Sequence, residues 1–298
     1  MFVILIRILN IILSKLETFY KLRKQLSRFS PQLLTLVFLI FLSQNFFAQN
    51  GYFSDWFPRV TRTQAAQPHW ITPLFTTTPR LEEEFRSDIV WTPSAAGDSV
   101  NYGAGKGLEL IPTYNSEIIL GVPPYQVPAN APAGGGNVPI TLKYRFAAQN
   151  EEHGNYIVTA FLAGSIPAGR FATKYGSITP TIAFGKGYRN FDFQSTFGWT
   201  IPTGGRSTSG TPVASNTAFQ YRVFRKLWPE LEANVTLWPN GSTRLIGQKQ
   251  VFMSPGLVAG RFHLWKRLGF TVGAGEQITV THFHQYNHAK TLSIRFPF

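Results

Sequence analysis

Three histidines, His282, His284 and His288, stand within seven residues near the C-terminus. Imidazoles at such spacing can hold Zn²⁺ or Ni²⁺ when a loop folds around them. The chain has no cysteine, and no neighbouring carboxylate completes the set. A histidine cluster without further ligands reads as ordinary polar loop residues, so neither a metal nor a cofactor is expected. Gly103-Ala-Gly-Lys-Gly107 resembles a phosphate loop in composition only. It lacks the Gly-Lys-Ser/Thr ending and precedes a strand, so a flexible hairpin is the expectation. Lipolysis would need a serine oriented by a histidine, and neither Gly-x-Ser-x-Gly nor His-x-Ser occurs among six histidines. An enzyme is therefore not expected.

The other reactive groups are charges interleaved with apolar side chains. Ile140, Leu142, Tyr144 and Phe146 alternate with Thr141, Lys143 and Arg145; Leu231, Ala233, Val235 and Leu237 alternate with Glu232, Asn234 and Thr236. Phe191, Phe193, Phe197, Trp199 and Ile201 alternate with Asp192, Gln194, Thr196 and Thr200. A period of two is that of a strand with unlike faces. Phased this way, one face gathers Arg86, Asp88, Glu109, Glu117, Lys143, Arg145, Asp192, Gln194, Arg222, Glu232 and Arg295. Five cations against five carboxylates argue against strong ion selectivity. The set forms either a polar permeation wall or a salt-bridged interior that blocks flow, because buried charges persist mainly when paired.

The elements that position these residues must be strands. Only 14% of the chain is charged, 15% is aromatic, and 26 residues are glycine. Twelve strands are expected: 82–93, 105–113, 115–126, 138–149, 155–167, 176–188, 190–202, 216–228, 231–239, 248–264, 268–280 and 290–298. Their lengths suit tilted strands crossing a bilayer. A soluble sandwich would also alternate, so the connections decide. Long joins (94–104, 128–137, 168–175, 203–215, 239–248, 281–290) alternate with short ones such as Tyr114, Tyr188-Arg189, Pro229-Glu230 and Lys266-Arg267. That is the rule of bacterial outer-membrane barrels, with both termini on the short-turn side. Trp91, Trp199 and Trp238 fall near long-loop ends, and Trp228 and Trp265 beside short turns, as two interfacial girdles would have it. Pro180, Pro255 and Glu276 resist the pattern, the prolines by removing ladder donors and Glu276 by sharing parity with apolar neighbours.

Residues 1–48 place a basic cluster (Lys21, Arg23, Lys24, Arg28) before an apolar run, Leu33–Leu42, and fit a secretory signal cut after Ala48, with an over-long N-terminal start. A signal anchor is the alternative. That segment carries six of the 28 Lys/Arg and one of the 15 Asp/Glu, so the remainder has a net charge of +8. No nucleic-acid-binding motif accompanies the excess, and phosphorylated lipid is the better polyanion. Residues 49–80 show little alternation and lie either in the periplasm or in the lumen as a plug; residues 81–298 form the barrel.

The chain closes on Thr291–Phe298, with Leu292, Ile294, Phe296 and Phe298 on one stripe. Phe296 and Phe298 resemble the C-terminal signal read by the barrel-assembly machinery. Arg170, Lys174, Arg206, Arg244, Lys249 and Lys290 fall in the long loops and are candidates to bind lipopolysaccharide phosphates. The stretches GKGLELIP (105–112), VPPY (122–125), FDFQST (191–196), THFHQYNH (281–288) and SIRFPF (293–298) resemble the outer-membrane proteins of the phenol-degradation meta pathway. The resemblance covers roughly Thr61–Phe298 and carries no catalytic residues. It implies a bacterial outer-membrane location and passage of small apolar or aromatic compounds. The expected fold is thus all-β, a closed antiparallel transmembrane barrel of about twelve strands, passing a small-molecule solute. The alternatives are a non-transporting structural, adhesive or lipopolysaccharide-contacting barrel and, more remotely, a lipid-acting enzyme.

Overall fold

Large apolar residues are the exposed ones in this molecule, and charged residues are the buried ones. In one strand Leu142, Tyr144 and Phe146 are 49%, 51% and 61% exposed, while the interleaved Lys143 and Arg145 are 2% and 8% exposed. A sandwich would invert this, because its apolar faces meet across a core. A sheet whose oily face looks outward needs hydrocarbon around it, and hydrocarbon admits a sheet only when no edge is left open.

The computed structural model describes residues 51–95 and 97–298, and the expected secretory signal over 1–48 lies outside them. The described residues fall into two compact units, 51–57 and Pro58–Phe298. In the first, Tyr52 stacks edge-on against Phe53 and Trp56. The second is a closed barrel, built among the described residues from twelve wall strands. They are β1 Glu84–Thr92, β2 in two pieces (Ser99–Gly103 and Gly107–Thr113), β3 in two pieces (Ser116–Gly121 and Tyr125–Pro128), β4 Val138–Gln149, β5 Tyr156–Ile166 and β6 Ser177–Tyr188. There follow β7 Phe191–Trp199, β8 Val213–Tyr221, β9 Leu227–Leu237, β10 Lys249–Trp265, β11 Leu268–Thr279 and β12 His288–Pro297. Each strand pairs antiparallel with the next, and β12 returns to β1 from Glu84↔Pro297 to Trp91↔Lys290. The C-terminal Phe298 N–H donates to Glu83 O at 3.0 Å, and Phe296 lies in register with Phe85 and against the Phe270 ring.

Strand number and phase agree with the sequence, but three boundaries move. β2 begins at Ser99, so the first long loop is shorter than expected. The supposed hairpin at Gly103–Gly107 is a kink inside the wall: Gly103, Ala104 and Gly105 hold φ of 81°, 47° and 75°, and Lys106 N–H returns to Gly103 O. The third shift is larger. The turn between β8 and β9 is Arg222–Lys226, closed by the Val223↔Leu227 bridge, and Pro229-Glu230 lies within β9. Pro180 and Pro255 stay in register with Leu162 and Leu231, while the ladder from β10 to β11 skips Ser254 and Pro255, as a missing donor requires. Trp91, Trp199 and Trp265 are outward and exposed. Trp228 and Trp238 are instead buried, because β9 carries Trp228 on its inner parity and Trp238 packs under Phe283.

A helix, α1 (Trp56–Ala65), precedes the barrel, with Pro58 in its first turn, where the missing N–H is harmless. Pro68 bars its continuation. From Gln67 to Leu81 the chain forms an irregular loop whose base is closed by Gln67: its Nε2 donates to Leu81 O at 2.8 Å, and its Oε1 accepts from Leu81 N–H at 3.0 Å. A compact loop with adjoining ends and no ladder of its own is an Ω-loop. Its Trp70, Ile71 and Leu74 form one buried cluster with Ile157, Trp228 and Val258 of the wall.

Candidate functional site

An irregular loop buried inside a barrel must find partners for its backbone groups, since unpaired ones cost about as much as lost hydrogen bonds. The inner-face charges supply them. Glu230 Oε1 accepts Leu74 N–H at 3.0 Å, and Glu232 accepts the N–H of Phe75 at 2.8 Å and that of Thr76. Arg86 donates to the carbonyls of Pro73 and Leu74, and Arg295 to those of Thr72 and Pro73. Gln194 Nε2 reaches Ile71 O at 2.9 Å while its Oε1 accepts from Thr78 Oγ1. Lys143 donates to Arg80 O, Thr159 to Pro79 O and Arg145 to Thr63 O. Within the loop Arg80 binds the carbonyls of Pro68 and Trp70 and pairs with Glu82 at 2.8 Å.

The expected inner-face residues separate accordingly. Arg86–Asp88 and Lys143–Glu117 are buried ion pairs, each at 2.8 Å, and Glu109 faces Glu84 across the β1–β2 ladder. Asp192 and Gln194 are bonded neighbours on β7. Arg295 binds backbone oxygens of the loop, while Arg145 reaches Thr63 O of α1, Tyr114 O of the β2–β3 turn and the Gln67 side chain. Arg222 is the exception: it lies in the β8–β9 turn, where its guanidinium covers the Trp228 ring at 5.7 Å. The shifted boundary is the reason.

Two positions on the loop are seated in glycine-lined hollows. A Cβ on Gly185 or Gly187 would meet the Trp70 ring at 2.5 or 2.6 Å, and one on Gly256, Gly273 or Gly275 would meet a Leu74 methyl at 2.6, 2.8 or 2.7 Å. Wall and loop therefore fit only because these wall positions lack side chains. Trp70, Leu74, Glu230 and Arg80 were not anticipated, yet a signal existed. Glycines at alternate, inner-parity positions of β6 and β11 mark close approach of another group.

Near the loop tip two cavities remain. One of about 260 Å³ is bordered by Leu74, Phe75, Asp88, Val90, Asn216 and Gln277. The other, about 210 Å³, is half lined by threonines, Thr77, Thr141, Thr179, Thr181 and Thr196, with Phe161 beside them. At the short-turn mouth Glu151 clasps His69 through both the ring (2.7 Å) and the backbone N–H (2.6 Å). Burial would raise the Glu151 carboxyl, but these bonds outweigh it and hold the pKa down at about 2.

Arg170, Lys174, Arg206 and Arg244 lie in the long connections as expected, whereas Lys249 and Lys290 belong to the wall at the long-loop ends of β10 and β12, because those ladders extend further than the sequence suggested; all six are exposed. Lys290 lies over Trp91 at 5.1 Å and Lys174 over Tyr175 at 5.4 Å. The histidines disperse: His282 is exposed, His284 bonds Thr281 O, and His288 pairs with Glu276 at 2.8 Å on the outer face. Among the described residues no three His, Asp or Glu side chains come together to hold a metal ion. Glu276 thus faces outward as its parity required, hydrogen-bonded to His288 and in register with Lys290.

No protein-family model matches this sequence, and no curated protein does. Solved structures do match by fold. The COG4313 outer membrane channel from Pseudomonas putida F1 aligns with a TM-score of 0.54 at 10% identity, over 77% of this chain and all of that one. The NanC porin aligns at 0.49 with 6% identity, over 72% of this chain and 98% of that one. The first of these likenesses, together with the outward apolar face, establishes the fold as that of a bacterial outer-membrane barrel.

Proposed function

We propose that this barrel is an outer-membrane channel for passive passage of small solutes, and that the loop Gln67–Leu81 is its gate. One observation carries the reading: the lumen is filled by a loop that joins no strand ladder and is held by side chains alone, so it can leave without breaking the wall. Twelve strands enclose more space than their own side chains occupy, unlike an eight-stranded barrel. The cavity lined by threonines and Phe161 bears no formal charge, which favours small uncharged compounds, apolar or aromatic ones included. The resemblance to the phenol-degradation outer-membrane proteins agrees with that class.

The rival reading is a non-transporting structural or adhesive barrel with a permanent filling, favoured by the buried ion pairs Arg80–Glu82 and Lys143–Glu117. Single-channel conductance in planar bilayers separates the two. The full chain should open rarely and a variant lacking residues 49–80 persistently; silence in both forms selects the rival.

A further inference from the structure

Three consecutive short turns around the barrel carry the wrong residues for their backbone. Tight hairpin turns need left-handed φ, which glycine or asparagine supplies without strain. Here Arg189 (φ 56°) opens the β6–β7 turn, Phe224 and Arg225 (48° and 64°) sit in the β8–β9 turn, and Lys266 (48°) opens the β10–β11 turn. Bulky residues persist in that region only where the surroundings hold them, and such outliers cluster at functional positions.

Each of the three turns presents a cation over an aromatic ring. Arg189 covers Tyr188 at 5.3 Å, Lys266 covers Trp265 at 4.4 Å, and Lys226 covers Phe262 at 5.1 Å. Tyr188, Trp265 and Phe224 are 69%, 66% and 88% exposed. Among the described residues no carboxylate lies in salt-bridge range of Arg189, Arg225, Lys226 or Lys266. The surface is one-sided, for the neighbouring 150–155 turn carries Glu151 and Glu152.

We infer that these three turns form a docking surface for the phosphate headgroups of anionic phospholipids in the leaflet at the short-turn end, periplasmic in such barrels. Aromatic rings settle at the interfacial depth and adjacent cations meet the phosphates. Glycine at Arg189, Arg225 or Lys266 would relieve the backbone and offer neither charge nor contact. The inference is independent of whether the lumen conducts.

Native mass spectrometry of the detergent-solubilised full chain, titrated with phosphatidylglycerol or with phosphatidylcholine of the same acyl chains, tests it. The wild type should retain phosphatidylglycerol at least about tenfold better, given the attraction of each cation to anionic lipid. The R189G/R225G/K266G variant should lose that preference while its thermal unfolding midpoint, read by heat-modifiable gel mobility, rises. R189K/R225K/K266R should keep the preference. Equal retention of both lipids by the wild type, undiminished preference in the glycine variant, or a lower midpoint in it would each overturn the inference.

Discussion

Leu74 offers a quantitative test of the fit between loop and wall. It is 1% exposed and fills the hollow left by Gly256, Gly273 and Gly275. Truncating a buried leucine to alanine costs about 2.7–5 kcal/mol, most where the site cannot relax. The 260 Å³ cavity already borders Leu74, so Leu74→Ala should fall at the low end, about 2–3 kcal/mol. Gly273→Ala places a methyl 2.8 Å from Leu74 Cδ2 and 3.0 Å from Val258 Cγ2, an overpacking worth about 1–3 kcal/mol. In the double variant the new methyl enters the space that Leu74 vacated. The two losses should therefore not add, with a favourable coupling of about 1–2 kcal/mol. Amide exchange at residues 74–76 reads the loop's release directly. Leu74→Ala should accelerate it roughly 30- to 150-fold at 1.4 kcal/mol per decade, and the double variant should lie well below the product of the single effects. Additivity within about 0.5 kcal/mol, or unchanged exchange in Leu74→Ala, would refute the socket argument.

Glu232→Ala leaves the N–H groups of Phe75 and Thr76 without their acceptor, a loss of about 1–3 kcal/mol, so exchange at those two amides should quicken by about fivefold or more, whereas Glu232→Gln, which keeps an oxygen, should do less. The Glu151 carboxyl lies below its ordinary value of 4.5, at about 2. Its contribution is complete above pH 4.5 and fades as pH falls toward 2. Protection of the His69 amide should decline across that window and be flat with pH in Glu151→Gln; a wild-type profile without a step there would remove the clasp. Reversing the charge of Arg170, Lys174, Arg206, Arg244, Lys249 and Lys290 together should weaken lipopolysaccharide pull-down, and unchanged capture would show those exposed cations to be a solvated rim.

The positions that misled are instructive because each failure has a local cause. Arg222 and Trp228 were misplaced together: Tyr221–Trp228 is apolar enough to read as continuous strand, and its turn lacks the glycine that marks one. The positive φ at Phe224 and Arg225 is invisible in residue types that rarely adopt it. Glu276 looked like an error and proved correctly phased, because its partner His288 sits on the neighbouring strand, twelve residues along the chain. Gly103–Gly107 looked like a hairpin and is a kink, since its glycines bend the wall without reversing it.

Strand number, phase and the alternation of long with short connections were written in the sequence, because a period of two, the span of a bilayer and the ban on open edges in hydrocarbon act locally or on every strand alike. The contents of the lumen were not. The groups that hold Leu74 and Phe75 lie 156 and 157 residues away on Glu230 and Glu232, and the hollows that receive Trp70 and Leu74 exist only where glycines of different strands converge. Such partners are chosen by closure of the sheet, which brings distant inner faces around one axis. Only the tertiary structure could decide that the balanced inner charges would bind a backbone as well as one another.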